Sequence, residues 1–135
     1  MSGKTPLQLA KQFNEAGHRG DTQAALSLIA EEVVVTDLGA PLDAPGVHRG
    51  RHELLSYYAR FAQEFDDFDR EVEEWVEAGD WVIAVGRWVG TGKESGARVE
   101  ARTASASRFR DGKVVETILG FPSKEAALDA IGLRE

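Results

Sequence analysis

Asp37 closes the apolar run Val33-Val34-Val35-Thr36. In an extended chain successive side chains point to opposite faces, so Val33, Val35 and Asp37 share one face, and Val34 and Thr36 the other. If the Val33/Val35 face is the buried one, a carboxyl group points into an apolar interior. Such a group must be paired, hydrogen-bonded or protonated to be tolerated there. Burial that disfavours the charged form is also how a carboxyl becomes a general acid or base. A second reading is local: Asp37 opens the turn Asp37–Gly39, where an aspartate side chain bonds the backbone that follows it. Arg87 is the candidate partner. Its strand-mates Trp81, Ile83, Val85 and Val89 are apolar, and an unpaired guanidinium among them is costly. Arg87 pairs with Asp37, reaches an anionic group on a ligand, or turns to solvent on its long stem.

Other groups offer hydrogen bonds. Thr103, Ser105 and Ser107 follow Ala101 at a period of two, placing small hydroxyl residues in mid-strand. They read as a pocket floor, or as a place where a helix packs closely. Tyr57 and Tyr58 lie in an apolar helical stripe. Both read as core aromatics, and a buried phenol usually finds a polar partner. His48 and His52 are four apart, the spacing at which a helix presents two imidazoles to one metal, but Gly50 interrupts them and no third ligand follows. His48 fits a pocket mouth better. Asp66-Asp67-Phe68-Asp69 lacks the spacing of a calcium loop and reads as a solvated acidic turn. Gly90-Thr91-Gly92-Lys93 fails as a phosphate loop, because Arg87 stands at the opening glycine and Glu94 where a Ser or Thr must follow the lysine. No G-x-S-x-G elbow is present.

The elements that position these groups follow from periodicity. Thr5-Pro6-Leu7-Gln8 is a capping box with proline at the first helical position; Leu7, Ala10 and Phe13 then repeat at helical spacing up to Gly17 or Gly20. Asp21 caps a short second helix carrying Ala25, Leu26 and Ile29. After the Asp37 strand comes a loop with Pro41, Pro45 and Gly46. A third helix runs from about Arg51 to Ala62, with Leu54, Tyr57, Tyr58 and Phe61 as its stripe. From Arg70 the period becomes two. Arg70–Ala78 is a charged edge strand, and Trp81–Val89, Ala97–Arg110 and Val114–Phe121 follow, the last two joined by the tight turn Asp111-Gly112. Pro122-Ser123 opens a short final helix that Gly132 ends. Helices first and a strand meander afterwards read as α+β.

The whole chain sets limits on partners. At 135 residues it is read as one domain, 1–135. Acids outnumber bases 23 to 16, for a net charge of -7, which argues against nucleic acid and anionic membrane as partners. Cysteine is absent, which removes disulfides, thiolate metal sites and cysteine nucleophiles. The first residues carry no signal-peptide core and no apolar run approaches the ~20 residues of a membrane helix, so the expected compartment is the cytoplasm.

The order of elements, with Gly20-Asp21, Gly46-Val47-His48-Arg49-Gly50-Arg51, Ala78-Gly79-Asp80 and Phe109-Arg110-Asp111-Gly112-Lys113, resembles the SnoaL-like branch of the nuclear transport factor 2-like superfamily. Ketosteroid isomerases, polyketide cyclases and limonene epoxide hydrolases share that fold. The resemblance implies a cone-shaped, curved antiparallel sheet with three N-terminal helices on its concave face. Asp37 then falls where ketosteroid isomerases keep their aspartate base. Phe13 falls where they keep an oxyanion-hole tyrosine, and Ser105 near their protonated aspartic acid. Arg87 lies near the arginine of the epoxide hydrolases' Asp-Arg-Asp relay, with Val89 and Leu119 in place of its acids. Polyketide cyclases carry an acid in the same Leu119 region.

Together these observations predict an enzyme that transfers a proton, without cofactor or metal, on a small hydrophobic substrate. Asp37 is the expected base, with Tyr58, Ser105 or Arg87 stabilising the developing charge. The expected pocket lining is Phe13, Leu54, Tyr57, Phe61, Ile83, Val85, Ser105, Ser107, Thr117 and Leu119, with His48 at its mouth. The alternative is a binding or scaffold protein of the same shape. Trp75, Trp81 and Trp88, with Ala84 and Ala106, are expected to form an apolar outer sheet face through which two copies pair as a homodimer.

Overall fold

The computed structural model describes residues 4–38 and 46–134, without the side chains of Tyr58, Phe61, Ala62, Leu133 and Arg134. Helix α1 (Pro6–Arg19) starts as its capping box dictates. The Thr5 hydroxyl accepts from the Gln8 amide, the Gln8 side chain accepts from the Thr5 amide, and Gly20 closes the helix in the left-handed conformation. Asp21 caps α2 (Thr22–Leu26) through the Ala24 amide. Strand β1 (Ile29–Asp37) follows, then β2 (Gly46–Arg49), α3 (Arg51–Glu64) and the long strands β3 (Phe65–Ala78), β4 (Trp81–Gly92), β5 (Arg98–Arg110) and β6 (Lys113–Phe121). The chain ends in α4 (Lys124–Arg134), capped by the Ser123 hydroxyl on the Ala126 amide.

The six strands form one curved sheet in the order β2-β1-β6-β5-β4-β3. All pairs are antiparallel except β1 with β6, the second and third strands of the order, which run parallel. The turn from β5 to β6 places Asp111 and Gly112 both at positive φ, as the sequence predicts for a tight hairpin. Two segments depart from expectation. Gly46–Arg49, expected within a loop, pairs with β1 as an edge strand, with His48 opposite Val35. Asp66–Asp69, expected as a solvated turn, belongs to β3 and carries a bulge in its pairing with β4. Gly132 lies inside α4 rather than at its end. The expected turn Asp37–Gly39 reaches into residues outside those described.

Apolar residues occupy both faces of the sheet. On one face, α1 and α3 cover a cluster that includes Val33, Val35, Leu54, Tyr57, Val82, Trp88, Phe109 and Leu119. On the other, α4 covers Trp81, Ile83, Ala104, Ala106, Ile118 and Phe121 through Ala127 and Ile131. The expected outer patch is therefore divided. Trp81 and Ala106 lie beneath α4, while Trp88 belongs to the cluster on the α1/α3 side, against which Trp75 also packs. Lys124 Nζ bonds Glu74 at 3.0 Å, tying the first turn of α4 to β3.

At Gly86 the backbone of β3 comes close against β4. A Cβ there would overlap the Glu71 carbonyl oxygen and stand 2.9 Å from its carbonyl carbon, both rigid backbone atoms. Gly86→Ala is expected to lower stability by at least about 2 kcal/mol through overpacking. The urea midpoint reads this directly, and an unchanged midpoint would contradict the close strand approach.

Candidate functional site

The site is built at the C-terminal end of β1. Val33 and Val35 are fully buried, and alternation carries Asp37 onto the same face, where it is 1% exposed. Leu119 of β6 lies opposite Asp37 on one side and Gly46 of β2 on the other. The α3 stripe crosses above them with Leu54 and Tyr57, three apart and both buried. The Tyr57 hydroxyl donates a hydrogen bond to Asp37 Oδ2 at 2.7 Å. This bond fixes the orientation of the carboxyl group and gives it a neutral donor inside an apolar layer. A hydrogen bond to a charged acceptor contributes about 1.5–3 kcal/mol, above a neutral one.

His48 stands beside this pair. Because it is opposite Val35 in register, its side chain emerges on the Asp37 face, two positions along the neighbouring strand. Its ring lies 5.4 Å from the Tyr57 ring, tilted by 46°. Nδ1 faces Glu53 Oε1 at 3.8 Å, and Nε2 is buried with no hydrogen-bond partner among the described residues. His52, by contrast, is exposed on α3 while His48 is on β2, so the two never share a helical face.

Several predicted site residues assemble here and others do not. Leu54, Tyr57, Leu119 and Phe13 belong to or pack against the cluster around Asp37. Ser105 is buried between Ala104 and Ala106, both of which face α4, so alternation turns it to the Asp37 side. Ser107 and Thr117 stand opposite each other and share a hydroxyl bond of 3.1 Å, Thr117 being also opposite Val35. The side chains of Tyr58 and Phe61 lie outside those described; among the described side chains Tyr57 donates to Asp37.

Ile83, Val85 and Arg87 differ from expectation together. They do share a strand face, but it is the opposite one: Ile83 is in the α4 cluster and Val85 packs against it. Arg87 therefore cannot meet Asp37. It bonds Glu71 through Nε at 2.6 Å on one neighbouring strand and Glu100 on the other. The Glu71 carboxylate, followed by Glu100, holds its guanidinium above the ordinary arginine range. A parallel cross-strand pair joins Arg102 to Glu73.

A cleft of about 600 Å³ opens between the end of α1, α2, Leu55 of α3 and the start of β3. Its apolar walls are Phe13, Leu55, Phe65, Phe68 and Trp88. Phe68 stacks on Trp88 at 5.2 Å, and Phe65 follows at 5.6 Å. Polar pairs stand at its edge, His18 Nδ1 with Asp69 at 3.0 Å and Lys93 with Asp66 at 3.9 Å. Asp37 is not among its lining residues, yet Phe13 and Trp88 link it to the cluster that holds Tyr57. The sequence reading missed this wall. Its signal was Phe65-x-x-Phe68, which the neighbouring aspartates disguised as a polar turn.

Comparison with known proteins agrees with this architecture. The SnoaL-like domain model matches residues 10–117, and the chain belongs to that family. An NTF2-like protein of Burkholderia thailandensis is 29% identical, with a TM-score of 0.80 over 96% of this chain and 98% of its own. An NTF2-like protein of Burkholderia xenovorans is 30% identical, with a TM-score of 0.70 over 88% and 90%. A Mesorhizobium loti protein, 21% identical, has a TM-score of 0.70 over 87% of this chain and all of its own. No curated protein matches the chain.

Tyr57→Phe removes the donor and leaves the Asp37 carboxyl buried without it. The expected loss is about 1.5–3 kcal/mol in urea unfolding. Removal of Arg87 from the opposite face is expected to leave the Tyr57–Asp37 bond intact. A Tyr57→Phe variant as stable as the parent would show that the bond does not form.

Proposed function

We propose that this protein is a cofactor-free acid/base enzyme acting on a small hydrophobic substrate, with Asp37 as the proton acceptor. The observation that carries the reading is the buried Asp37 carboxyl, held by a phenol at 2.7 Å within an apolar layer. A carboxylate abstracts a proton from carbon effectively where water is excluded and its orientation is preset. Tyr57 presets that orientation. The electrons released from the C–H bond collect on the substrate's carbonyl oxygen, and the buried Ser105 hydroxyl on the same face is the candidate donor for that charge. The aromatic cleft, joined to this layer through Phe13 and Trp88, suits an apolar guest. Support also comes from the family, which includes cyclases and isomerases, and from the Mesorhizobium loti relative, described as a putative SnoaL-like polyketide cyclase.

The second reading is a binding module in which Asp37 and Tyr57 lock α3 to β1. The absence of Asp37 from the cleft wall favours it. Deuterium uptake from D2O into the α-carbon of 2-tetralone, a small apolar ketone, separates the two. The parent protein is expected to accelerate uptake, and Asp37→Asn to lower that rate by about 10²–10⁴-fold, the usual contribution of a positioned base. If the parent gives no acceleration, or Asp37→Asn retains it, Asp37 is not the base. Native mass spectrometry of protein purified from its source then identifies any ligand the module carries.

A further inference from the structure

The aromatic wall of the cleft depends on two features of the β3–β4 pair. Asp66 lies opposite Thr91 and Asp69 opposite Val89, which leaves Asp67 and Phe68 together opposite the single residue Gly90. A bulge of this kind re-aims side chains out of regular alternation. Gly90 provides the room: a Cβ there would stand 3.2 Å from the Phe65 Cβ and 3.3 Å from a ring carbon of Phe68, crowding both rings. Phe65 and Phe68 are half-buried, as is Phe13 of α1, and all three line the opening.

The charges around this wall are unequal. Four aspartates line the cleft, Asp21, Asp66, Asp67 and Asp69, against the cations of Arg70 and Lys93. Three of the four have partners: Asp21 has Arg19 at 3.6 Å, Asp66 has Lys93 at 3.9 Å and Asp69 has His18 at 3.0 Å. Asp67, on the bulge, is exposed and has no ion pair among the described residues. Its φ of 53° is one that few residues other than glycine adopt. Arg70 lies over the Trp88 ring at 5.5 Å, so the aromatic layer already takes one cation from the protein itself.

We propose that this cleft binds a small organic cation, an ammonium group borne on an apolar body, with the body against Phe13, Phe65 and Phe68 and the charge beside Asp67. Aromatic faces carry negative potential and the carboxylates add to it, so both parts of the site favour the same sign of charge. A neutral guest gains only the apolar contact. An anion meets an aromatic face bordered by carboxylates. At about 600 Å³ the cleft has the size of a small-molecule site. The proposal adds a charge to the apolar guest of the preceding reading but stands on the cleft alone, whether or not Asp37 acts as a base.

The test compares three probes of nearly one shape: benzyltrimethylammonium, neutral α,α-dimethylphenethyl alcohol and anionic benzylsulfonate. Calorimetric titration of the full chain at low salt ranks their affinities, and amide ¹H–¹⁵N spectra locate them. The cation is expected to bind at least about 5-fold more tightly than the alcohol, as one cation–π contact allows, and the sulfonate not measurably. Amide shifts are expected at Phe68, Trp88 and Lys93. Raising the salt to about 0.5 M is expected to weaken the cation and spare the alcohol. Asp67→Asn removes the charge with a residue that tolerates positive φ, and is expected to weaken the cation alone by about 2–5-fold. The inference is overturned if the cation fails to bind, if the alcohol or sulfonate binds as tightly, if the shifts lie away from the cleft, or if Asp67→Asn leaves the preference for the cation unchanged. The ranking of the probes on the parent protein stands even if a variant misfolds. The two proposals fail separately, because 2-tetralone carries no charge and the cationic probe has no acidic C–H beside a carbonyl. Absent cation binding leaves the deuterium test of Asp37 intact, and uptake retained in Asp37→Asn leaves the cation site intact.

Discussion

The hydrogen bond from Tyr57 to Asp37 is the interaction on which the arrangement of this site depends. An acid placed by strand alternation beside Val35 and opposite Leu119 is almost wholly removed from the surface, and burying it unpaired is costly. The phenol of α3 supplies the partner. In doing so it fixes the height and rotation of α3 over the end of β1, because a 2.7 Å contact tolerates little sliding. Leu54, one turn earlier, packs into the same layer, and the His48 ring rests against Tyr57 from the adjacent edge strand. One polar contact thus coordinates three elements, β1, β2 and α3.

The two faces of the sheet divide the remaining tasks. The α1/α3 face holds the acid, the phenol, the imidazole and the aromatic cleft. The α4 face is filled by alanines, isoleucines, Trp81 and Phe121, and beyond the reach of α4 its charges pair across strands. Arg87 shows how the division is enforced: at its position the face is lined by Glu71 and Glu100, so the cation is satisfied at the surface instead of entering the interior. Nothing cationic is thereby brought onto Asp37 from β4. Among the described contacts, its donor is the neutral Tyr57 hydroxyl.

Much of the fold was legible in the sequence because its signals were local. The Thr5 capping box, the Asp21 cap, the α3 stripe and the Asp111-Gly112 turn each state their own geometry within four residues. The burial of Asp37 was legible too, since Val33 and Val35 declared the face. What was not legible was which face of β4 meets which helices. Trp81–Gly90 is apolar on both sides, so alternation groups Ile83, Val85 and Arg87 correctly without saying that α4 covers them. That Tyr57 reaches Asp37 was closed to sequence for a related reason: the tilt of α3 on the sheet decides where each residue of its stripe points. The edge strand Gly46–Arg49 was hidden by its brevity and by its glycine. With it went the recognition that His48 shares a sheet face with Asp37.

The central claim is that Asp37 and Tyr57 act as one unit, and a double-mutant cycle in urea unfolding tests it most directly. Asp37→Leu, Tyr57→Phe and the double variant replace both polar groups by apolar ones of similar size. A coupled pair predicts that the double variant loses less stability than the sum of the single ones, by at least about 1.5 kcal/mol, because neither partner is then left buried alone. Additivity within about 0.5 kcal/mol, as for independent sites, would contradict the account.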